Sequence, residues 1–540
     1  MEDLQKEFDS IRAIQVKRTR DKKLEEFQNK LASLTFFDPA CGSGNFLTET
    51  YLSLRRLENE VIKEKVGGQM TLVEVNNPIR VSIQQFYGIE INDFAVTVAK
   101  TALWIAESQM LEETKNIVYG FNDDFLPLKT YVNITEGNAL RIDWNDVIPA
   151  EKLSFIMGNP PFVGARWMAS EQKEDVEKIF EGWKSIGNLD YVSCWYKKAA
   201  DYMGNYNIRA ALVSTNSITQ GESVSILWKP LFESGVHIDF AYRTFIWDSE
   251  ASIKAHVHCV IVGFSRAVNN KQKIIYSGEN AIPANNINGY LLDAENIFIE
   301  KRMKPLCNVP EIALGGQAID GGFLILTEEE PQASPFFRHY MMGKDFIDRK
   351  PRYCIWLVGA DPGLLKKCPM ILERVNKVRE FRLSSTRANT KKAAENPTLF
   401  ASILEHKNQY IAIPKVSSQN RRYIPMDYLD GEIIPGDKLF TMPNASFYEF
   451  GVLMSNVHMA WMRAVCGRLK SDYSYSNTIV YNNFPWPVVT EKNREQIEKS
   501  AQEILKARTL YPNSNLAALY DPLTMPAELR RAHTANDKAV

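Results

Sequence analysis

The segment 156–162, with the sequence IMGNPPF, holds the residues best suited to chemistry in this chain. Consecutive prolines fix the backbone and lack N–H donors, so an Asn-Pro-Pro corner presents carbonyl acceptors. The side-chain oxygen of Asn159 and the carbonyl of Pro160 can together accept both hydrogens of one amino group. An exocyclic amine conjugated with an aromatic ring is a poor nucleophile, and these two bonds localise its lone pair for attack on a methyl sulfonium.

The residues after Pro160 fit the same chemistry. Phe162 offers a face on which a base extracted from a duplex can stack. The chain has no Pro-Cys dipeptide of the kind that cytosine-C5 enzymes use, so no covalent nucleophile is expected. The plainer interpretation is a Pro-Pro turn stabilised by an asparagine. The predicted catalytic residues are Asn159, Pro160, Pro161 and Phe162.

A glycine-containing loop, DPACGSGNF at 38–46, lies between a predicted strand and a predicted helix. Glycines let the backbone approach a ligand closely, and the first N–H groups of the helix point to the same place. A carboxylate at the strand end can accept hydrogen bonds from the cationic amine in the methionine part of S-adenosylmethionine. The predicted cofactor-binding residues of this loop are Asp38, Ala40, Gly42, Gly44, Asn45 and Phe46.

A second acid, Glu90, ends the next apolar strand and is followed by Ile91. A carboxylate in this position can accept both ribose hydroxyls of a nucleoside. Its distance from Gly44 exceeds the roughly 20 residues of a simple dinucleotide site, and an insertion around 55–80 explains the excess. We predict that Glu90 and Ile91 bind the cofactor; the alternative for Glu90 is a strand-end residue in water.

Apolar strands alternating with helices must position these motifs, which predicts an α/β fold with a largely parallel, doubly wound sheet. Residues 271–288 are polar, predict a linker or loop, and place a domain boundary near 270–310. The predicted strands are 34–38, 86–91, 153–158, 210–214 and 257–264, and the predicted helices are 1–34, 46–60 and 93–110.

Composition excludes several classes of protein. No apolar run is long enough to span a bilayer, so no membrane partner is expected. The seven cysteines form no CxxC pair, which fits a reducing cytoplasm. His256 and His258 share a strand face without a nearby acid, and we predict packing rather than a metal site. Net charge is −1, but residues 301–540 carry 33 Lys+Arg against 25 Asp+Glu, an excess that favours a basic binding surface.

Together these motifs resemble the amino-group DNA methyltransferases, and the match extends to the MmeI-type restriction–modification proteins. The resemblance covers roughly residues 30–515 and is carried by FFDPACGSGNFLTETYLSLRRLE, GNPPFVGA, VSTNSITQGE, AHVHCVIVGF and GRLKSDYSYSNTIVYNNFPWP. It implies a Rossmann-like class I methyltransferase sheet, followed by a mixed α+β target-recognition domain. It also implies methylation of adenine N6 in double-stranded DNA, in a bacterial or archaeal cytoplasm.

The resemblance assigns further roles and boundaries. Asn138 matches a motif whose polar residue lies by the target amine, and Asn138 and Ala139 are counted with the cofactor site. Phe245 matches the second aromatic residue around a flipped base. The predicted domains are a helical segment (1–34), the methyltransferase (35–290), the target-recognition domain (291–490) and a C-terminal helical tail (491–540).

Two departures from the family matter. MmeI-type proteins carry a nuclease domain ahead of the methyltransferase, whereas about thirty-five residues precede the cofactor strand here. The ExK triplet at 171–173 is a chance match to a nuclease motif, so we expect no cleavage by this chain. The family's first cofactor-contacting segment also lies further upstream. The resemblance therefore implies either weak cofactor affinity or a separate polypeptide that supplies this segment or the nuclease.

Basic clusters in the second half predict contacts with DNA. Arginine and lysine hold phosphates, while arginine, asparagine and glutamine also read base edges. A solvated face is the alternative for each cluster. The aromatic residues between 473 and 486 are predicted to be core. The predicted DNA-binding residues are Phe245, Lys415, Ser417, Ser418, Asn420, Arg421, Arg422, Arg468 and Lys470.

Two other functions stay open at this point. Asn-Pro-Pro-aromatic motifs also serve methyltransferases acting on RNA or protein, and the basic second half favours duplex DNA over these. A specificity or scaffold subunit with a decayed cofactor site is the second alternative. Intact Asp38, Glu90 and Asn159 argue against decay.

Overall fold

The computed structural model describes residues 1–66, 78–118, 133–247, 257–326 and 335–540. These residues form two compact units. The N-terminal unit consists of Met1–Thr219 and Ser223–Phe298, and the C-terminal unit of Gln220–Glu222 and Ile299–Val540.

One nine-stranded sheet organises the N-terminal unit. Its strands are β1 (Phe36–Asp38), β2 (Phe86–Glu90), β3 (Asn133–Glu136), β4 (Phe155–Gly158), β5 (Arg209–Thr215), β6 (His237–Trp247), β7 (Val257–Ser265), β8 (Lys273–Ser277) and β9 (Asn280–Ala284). The spatial order is β3-β2-β1-β4-β5-β7-β6-β8-β9. The first five strands are parallel, and β7 runs antiparallel to both of its neighbours, β5 and β6.

Helices connect these strands. They are α1 (Glu2–Arg12), α2 (Lys17–Ser33), α3 (Asn45–Val66), α4 (Asp93–Lys115), α5 (Trp144–Val147), α6 (Ser170–Ile179), α7 (Ser193–Met203) and α8 (Gly221–Glu233). The single helix predicted for residues 1–34 is wrong, because two helices form there. Their apolar residues, including Phe8 and Leu24, are buried in one cluster with Leu47 and Leu54 of α3, so this segment is part of the unit's core.

The prediction of a linker at 271–288 is also wrong. β8 and β9 pair antiparallel through a two-residue turn in which Gly278 has φ +58°, and β8 runs parallel to β6. Glycine adopts this left-handed backbone readily, so the Gly278 turn closes a hairpin instead of opening a linker.

Smaller sheets and helices build the C-terminal unit. Its strands are β10 (Ala313–Leu314), β11 (Ile325–Leu326), β12 (Phe337–Met341), β13 (Arg352–Ile355), β14 (Tyr410–Pro414), β15 (Val416–Ser417), β16 (Asp427–Leu429), β17 (Ile434–Pro435), β18 (Leu439–Pro443), β19 (Gly467–Leu469) and β20 (Asp472–Ser474). Its helices are α9 (Gly343–Asp348), α10 (Pro362–Lys366), α11 (Pro369–Leu383), α12 (Ala388–Lys392), α13 (Phe447–Leu453), α14 (Asn456–Val465), α15 (Glu491–Thr509), α16 (Leu516–Leu519) and α17 (Ala527–Ala539).

Two features of this unit bear on the sequence predictions. The aromatic residues predicted as core are buried, which confirms that prediction: Tyr473, Tyr475, Tyr481, Phe484 and Trp486. Helices α15 and α17 bury Ile497, Ile504 and Leu529. Across the described ranges, no helix combines the length and the apolar character needed to span a membrane.

Candidate active site

The sheet reverses its winding between β1 and β4, which lie side by side and parallel. From β1 the chain moves outward through β2 and β3, and then returns to the other side of β1 as β4. In open α/β sheets, ligands bind in the crevice outside the carboxyl ends of the strands at such a switch point. Asp38 ends β1 and Gly158 ends β4, so the predicted cofactor loop and the predicted catalytic corner both begin here.

The two strand ends approach each other very closely. A Cβ atom built on Gly158 would lie only 2.4 Å from Oδ1 of Asp38. Any side chain at residue 158 would therefore displace the carboxyl group or the strand. The glycine before Asn159 is required by this contact, and it brings the predicted catalytic corner against Asp38.

Asp38 is fully buried. Its Oδ1 accepts a hydrogen bond from the N–H of Ala40 at 3.0 Å, whereas Oδ2 is buried and meets no donor within the described residues. Burial raises the pKa of Asp38 to about 7, against the effect of the Ala40 bond, and the negative charge of Glu90 adds to the rise. The carboxyl group is thus held in a position where a cationic donor would stabilise its charge.

Glu90 fastens the glycine loop to β2. Its Oε2 accepts from the N–H of Gly42 at 2.9 Å, and its Oε1 accepts from the N–H of Asn92 at 3.0 Å. Gly42 has φ +53° and Gly44 has φ +82°, which are left-handed conformations that favour glycine. The half-buried carboxylate keeps free lone pairs on both oxygens, as the predicted ribose contact requires.

Asn138 follows β3 at the same edge, where the N–H of Gly137 donates to the carbonyl of Glu90 at 2.8 Å. The Nδ2 of Asn138 donates to Oδ2 of Asp175 at 3.0 Å, and its Oδ1 accepts from the N–H of Leu140 at 2.9 Å. The neighbouring Ala139 is buried. The structure therefore places both predicted residues beside the Glu90 loop, and it adds Asp175, which sequence reasoning missed.

The predicted catalytic corner holds an acceptor without a donor. Oδ1 of Asn159 is buried and meets no hydrogen-bond partner in the part of the chain that the structure describes. Pro160 is buried, Phe162 is half-buried and Pro161 is exposed. A buried polar atom without a partner costs about 1–3 kcal/mol, so this oxygen is poised for a donor that the described residues do not provide.

Asp190 anchors the chain that follows the corner. Its Oδ1 accepts from the N–H of Ala165 at 2.9 Å, and its Oδ2 accepts from the hydroxyl of Ser217. The next residue, Tyr191, donates its N–H to the carbonyl of Val163 at 2.9 Å. Neither Asp190 nor Asp175 belongs to a spacing pattern, so nothing in the sequence marked these anchors in advance.

Three predicted cofactor contacts lie at the surface or rim of this edge. Phe46, in the first turn of α3, is about one third exposed at 36%, and Ile91 is 68% exposed. Asn45 is exposed at the start of the same helix. Phe245 is half-buried near the carboxyl end of β6, which points the same way as β4 but lies three strand positions away, about 14 Å at normal strand spacing. These residues stay predicted contacts.

Two weaker sequence matches gain no support. The triplet 171–173 lies in the first turn of α6. His256 lies outside the described residues, and His258 stands within β7. In the described ranges, no group of three or more His, Cys, Asp or Glu residues could hold a metal ion.

In the C-terminal unit, one small sheet brings two predicted DNA-binding segments together. β15 pairs with β20, which pairs with β19, so the loop after Ser417 lies beside the β19–β20 hairpin. The N–H of Gln419 donates to Asp472 Oδ1 at 3.2 Å, which fastens the loop to the hairpin. The sequence did not predict this proximity of residues 53 positions apart.

The candidate side chains of this surface differ in exposure. Ser417 is buried and so does not face solvent. The guanidinium of Arg468 lies over the ring of Tyr473 at 4.1 Å. Arg422 is exposed and lies 3.5 Å from the carboxylate of Asp537. The remaining candidates are half-buried or exposed: Lys415, Ser418, Asn420, Arg421 and Lys470.

The strand order, the antiparallel β7 and the acids ending β1 and β2 define a Rossmann-like sheet of the class I methyltransferase type, as predicted. Family models cover most of the chain. Residues 14–277 match "MmeI, DNA-methyltransferase domain", residues 293–488 match "MmeI, target recognition domain", and residues 489–540 match "MmeI, C-terminal domain". The chain belongs to the MmeI family of restriction–modification proteins, which confirms the resemblance.

Two known relatives support this family assignment. DNA methyltransferase A of Bacillus subtilis (strain 168) is 41% identical over 528 residues, which cover 96% of this chain and 60% of that protein. The chain thus spans about three fifths of the length of this relative. The solved structure of the Type IIL restriction–modification enzyme MmeI in complex with DNA matches the whole chain with a TM-score of 0.93 at 43% identity, and the match covers 73% of that chain.

Proposed function

We propose that this protein transfers a methyl group from S-adenosylmethionine to N6 of an adenine flipped out of double-stranded DNA. Its setting is a restriction–modification or phage-defence system in a bacterial or archaeal cytoplasm. The observation that carries the proposal is the buried, donor-free Oδ1 of Asn159, held beside Asp38 at the switch point of a methyltransferase-type sheet. An acceptor in this position suits the amino group of a base.

The residues of the predicted cofactor site, Asp38, Glu90 and the glycine loop between β1 and α3, fit S-adenosylmethionine. Asp38 offers a buried carboxylate oxygen without a donor, which suits the α-ammonium group. Glu90 offers the free lone pairs of a carboxylate to the ribose hydroxyls. When bound, the cofactor supplies an electrophilic methyl group on a sulfonium.

The chain's own residues prepare the amine. Asn159 Oδ1 and the Pro160 carbonyl accept the two N6 hydrogens, which draws the nitrogen toward tetrahedral geometry and localises its lone pair. Phe162 stacks on the flipped base and holds its plane. The amine prepared in this way would accept the methyl group that a bound cofactor would supply, leaving S-adenosylhomocysteine and releasing one N6 proton to water.

The C-terminal unit is proposed to recognise the target sequence. Residues 301–540 carry 33 basic and 25 acidic residues, a surplus that suits a polyanion. The loop after Ser417 and the β19–β20 hairpin form the proposed contact surface, with its exposed and half-buried arginine, lysine and asparagine side chains.

Asn159→Ala tests the catalytic assignment. We expect methyl transfer to duplex DNA to fall below 1% of the unchanged protein, because the amine loses its main acceptor, while DNA affinity changes less than threefold. Asn205→Ala, at an exposed asparagine of the same unit, is the matched control and should keep full activity. Tritiated methyl transfer to DNA, ribosomal RNA and protein substrates distinguishes the alternatives, and full activity of Asn159→Ala refutes the assigned role.

A further inference from the structure

A buried carboxylate on α6, Asp175, reaches back to the loop that follows β3. We infer that Asp175 is a positioning residue: it fixes the orientation of the Asn138 amide and so selects a cofactor whose purine carries an amino group. This inference rests on the proposed function, because it concerns the same cofactor site.

The contacts of Asp175 determine which end of the amide faces it. The residue is 3% exposed. Its Oδ2 accepts from Asn138 Nδ2 at 3.0 Å and from the Tyr191 hydroxyl at 2.8 Å, and its Oδ1 accepts from Arg141 Nε at 2.7 Å. An ionised carboxylate can only accept hydrogen bonds, so only the NH2 end of Asn138 is stable beside it.

The charge state of Asp175 supports this orientation. Burial alone would raise its pKa, but hydrogen bonds from Arg141, Tyr191 and Asn138 outweigh burial and lower the pKa below its usual value. The carboxyl group is therefore ionised at neutral pH and has no proton to offer to an amide oxygen. Reversal of the amide would place two acceptors in contact at Asp175 and two donors in contact at the Leu140 N–H.

The opposite end of the amide is consequently a fixed acceptor. Asn138 Oδ1 accepts from the N–H of Leu140 at 2.9 Å and keeps a second lone pair. Asn138 lies two residues beyond β3, beside the strand that ends at Glu90, where the nucleoside of the cofactor is proposed to bind. A purine with a 6-amino group donates to this oxygen, whereas a purine with a 6-keto group presents a second acceptor.

The same contacts connect cofactor recognition to the catalytic corner. Asp175 lies on the helix that follows the corner, and it binds the hydroxyl of Tyr191. The backbone N–H of Tyr191 holds the carbonyl of Val163, directly after Phe162. Asn138 and the corner therefore share one hydrogen-bonded support.

The test compares the dissociation constants of S-adenosylhomocysteine and S-inosylhomocysteine by calorimetry. We expect the unchanged protein to prefer the adenine compound at least tenfold. Because the Arg141 Nε–H holds the remaining oxygen, Asp175→Asn presents an NH2 group to Asn138 Nδ2. This contact opposes the present orientation of the amide, which the Leu140 N–H alone then favours, and the preference should fall at least fivefold. Tyr191→Phe, which keeps the carboxylate, is the matched control and should keep the preference even if both affinities change.

A double-mutant cycle protects the test against simple loss of folding. Asn138→Ala removes the amide, so adding Asp175→Asn to it should change the preference less than twofold. If Asp175→Asn keeps the full preference while the unchanged protein shows it, the inference is overturned and the proposed function stands. If the unchanged protein binds neither compound, the proposed function fails, and the inference fails with it.

Discussion

Asp38 should lose its proton when the cofactor binds, and Asp38→Asn should abolish this proton release. A pKa of about 7 leaves about one carboxyl group in a hundred ionised at pH 5 and about one in ten at pH 6. An α-ammonium group stabilises only the ionised form, so binding at these pH values must first remove the proton. The bound cofactor is thereby coupled to one proton of this buried side chain.

The expected loss of cofactor affinity follows from the ionised fraction of Asp38. The dissociation constant should be about 100-fold higher at pH 5 than on its plateau above pH 8, which corresponds to about 2.7 kcal/mol. The sign is set by the raised pKa: affinity is lost as the pH falls through 7, whereas an ordinary aspartate would lose it only below about 4. At pH 6 about 0.9 proton should be released for each cofactor bound.

Calorimetry with S-adenosylhomocysteine in buffers of different ionisation enthalpy measures both the dissociation constant and the number of protons released on binding. Asp38→Asn should bind weakly, with an affinity independent of pH between 5 and 7 and without proton release. Asp146→Asn, at an exposed aspartate of the same unit, should behave like the unchanged protein. The reasoning is refuted if the affinity of the unchanged protein varies less than threefold over this range, or if Asp38→Asn releases the same number of protons.

Three further predictions test other contacts. Gly158→Ala should abolish methyl transfer and lower the melting temperature, because its Cβ would lie 2.4 Å from the Asp38 carboxylate; unaltered activity would contradict the close approach. Asp190→Ala should lower kcat at least tenfold while the dissociation constant of S-adenosylhomocysteine stays within twofold, because the loop at Ala165 loses its anchor. Arg382→Met should destabilise the C-terminal unit by about 3–5 kcal/mol in urea denaturation, since the buried guanidinium donates to five backbone carbonyls.

The core of the site was predictable because each motif directly follows an apolar strand. Phe36–Asp38 and Phe155–Gly158 are short and buried or half-buried, and their polar ends can only project from the carboxyl edge of a parallel sheet. Glycines and prolines after them exclude continuation of the strand. Asp38 and Asn159 could therefore be placed at one edge without a structure.

Other parts of the fold left no periodic signal. β3 has one buried apolar residue, Ile134, among polar neighbours, and β6 is interrupted by two register shifts. The β8–β9 hairpin resembles a linker in composition because β9 is an exposed edge strand. The bond from Asp175 to Asn138 joins residues 37 positions apart, and only the packing of α6 brings them together.

Buried acceptors without donors connect the fold to the proposed chemistry. Asp38 Oδ2 and Asn159 Oδ1 follow adjacent strands at the switch point, and neither meets a donor in the described ranges. Each costs about 1–3 kcal/mol, whereas the acceptors of Asp175 and Asp190 nearby are satisfied. The proposed ligands, an α-ammonium group and an exocyclic amine, are both donors. Ligands that donate to both acceptors recover this cost, so the fold favours the loaded state over the empty one.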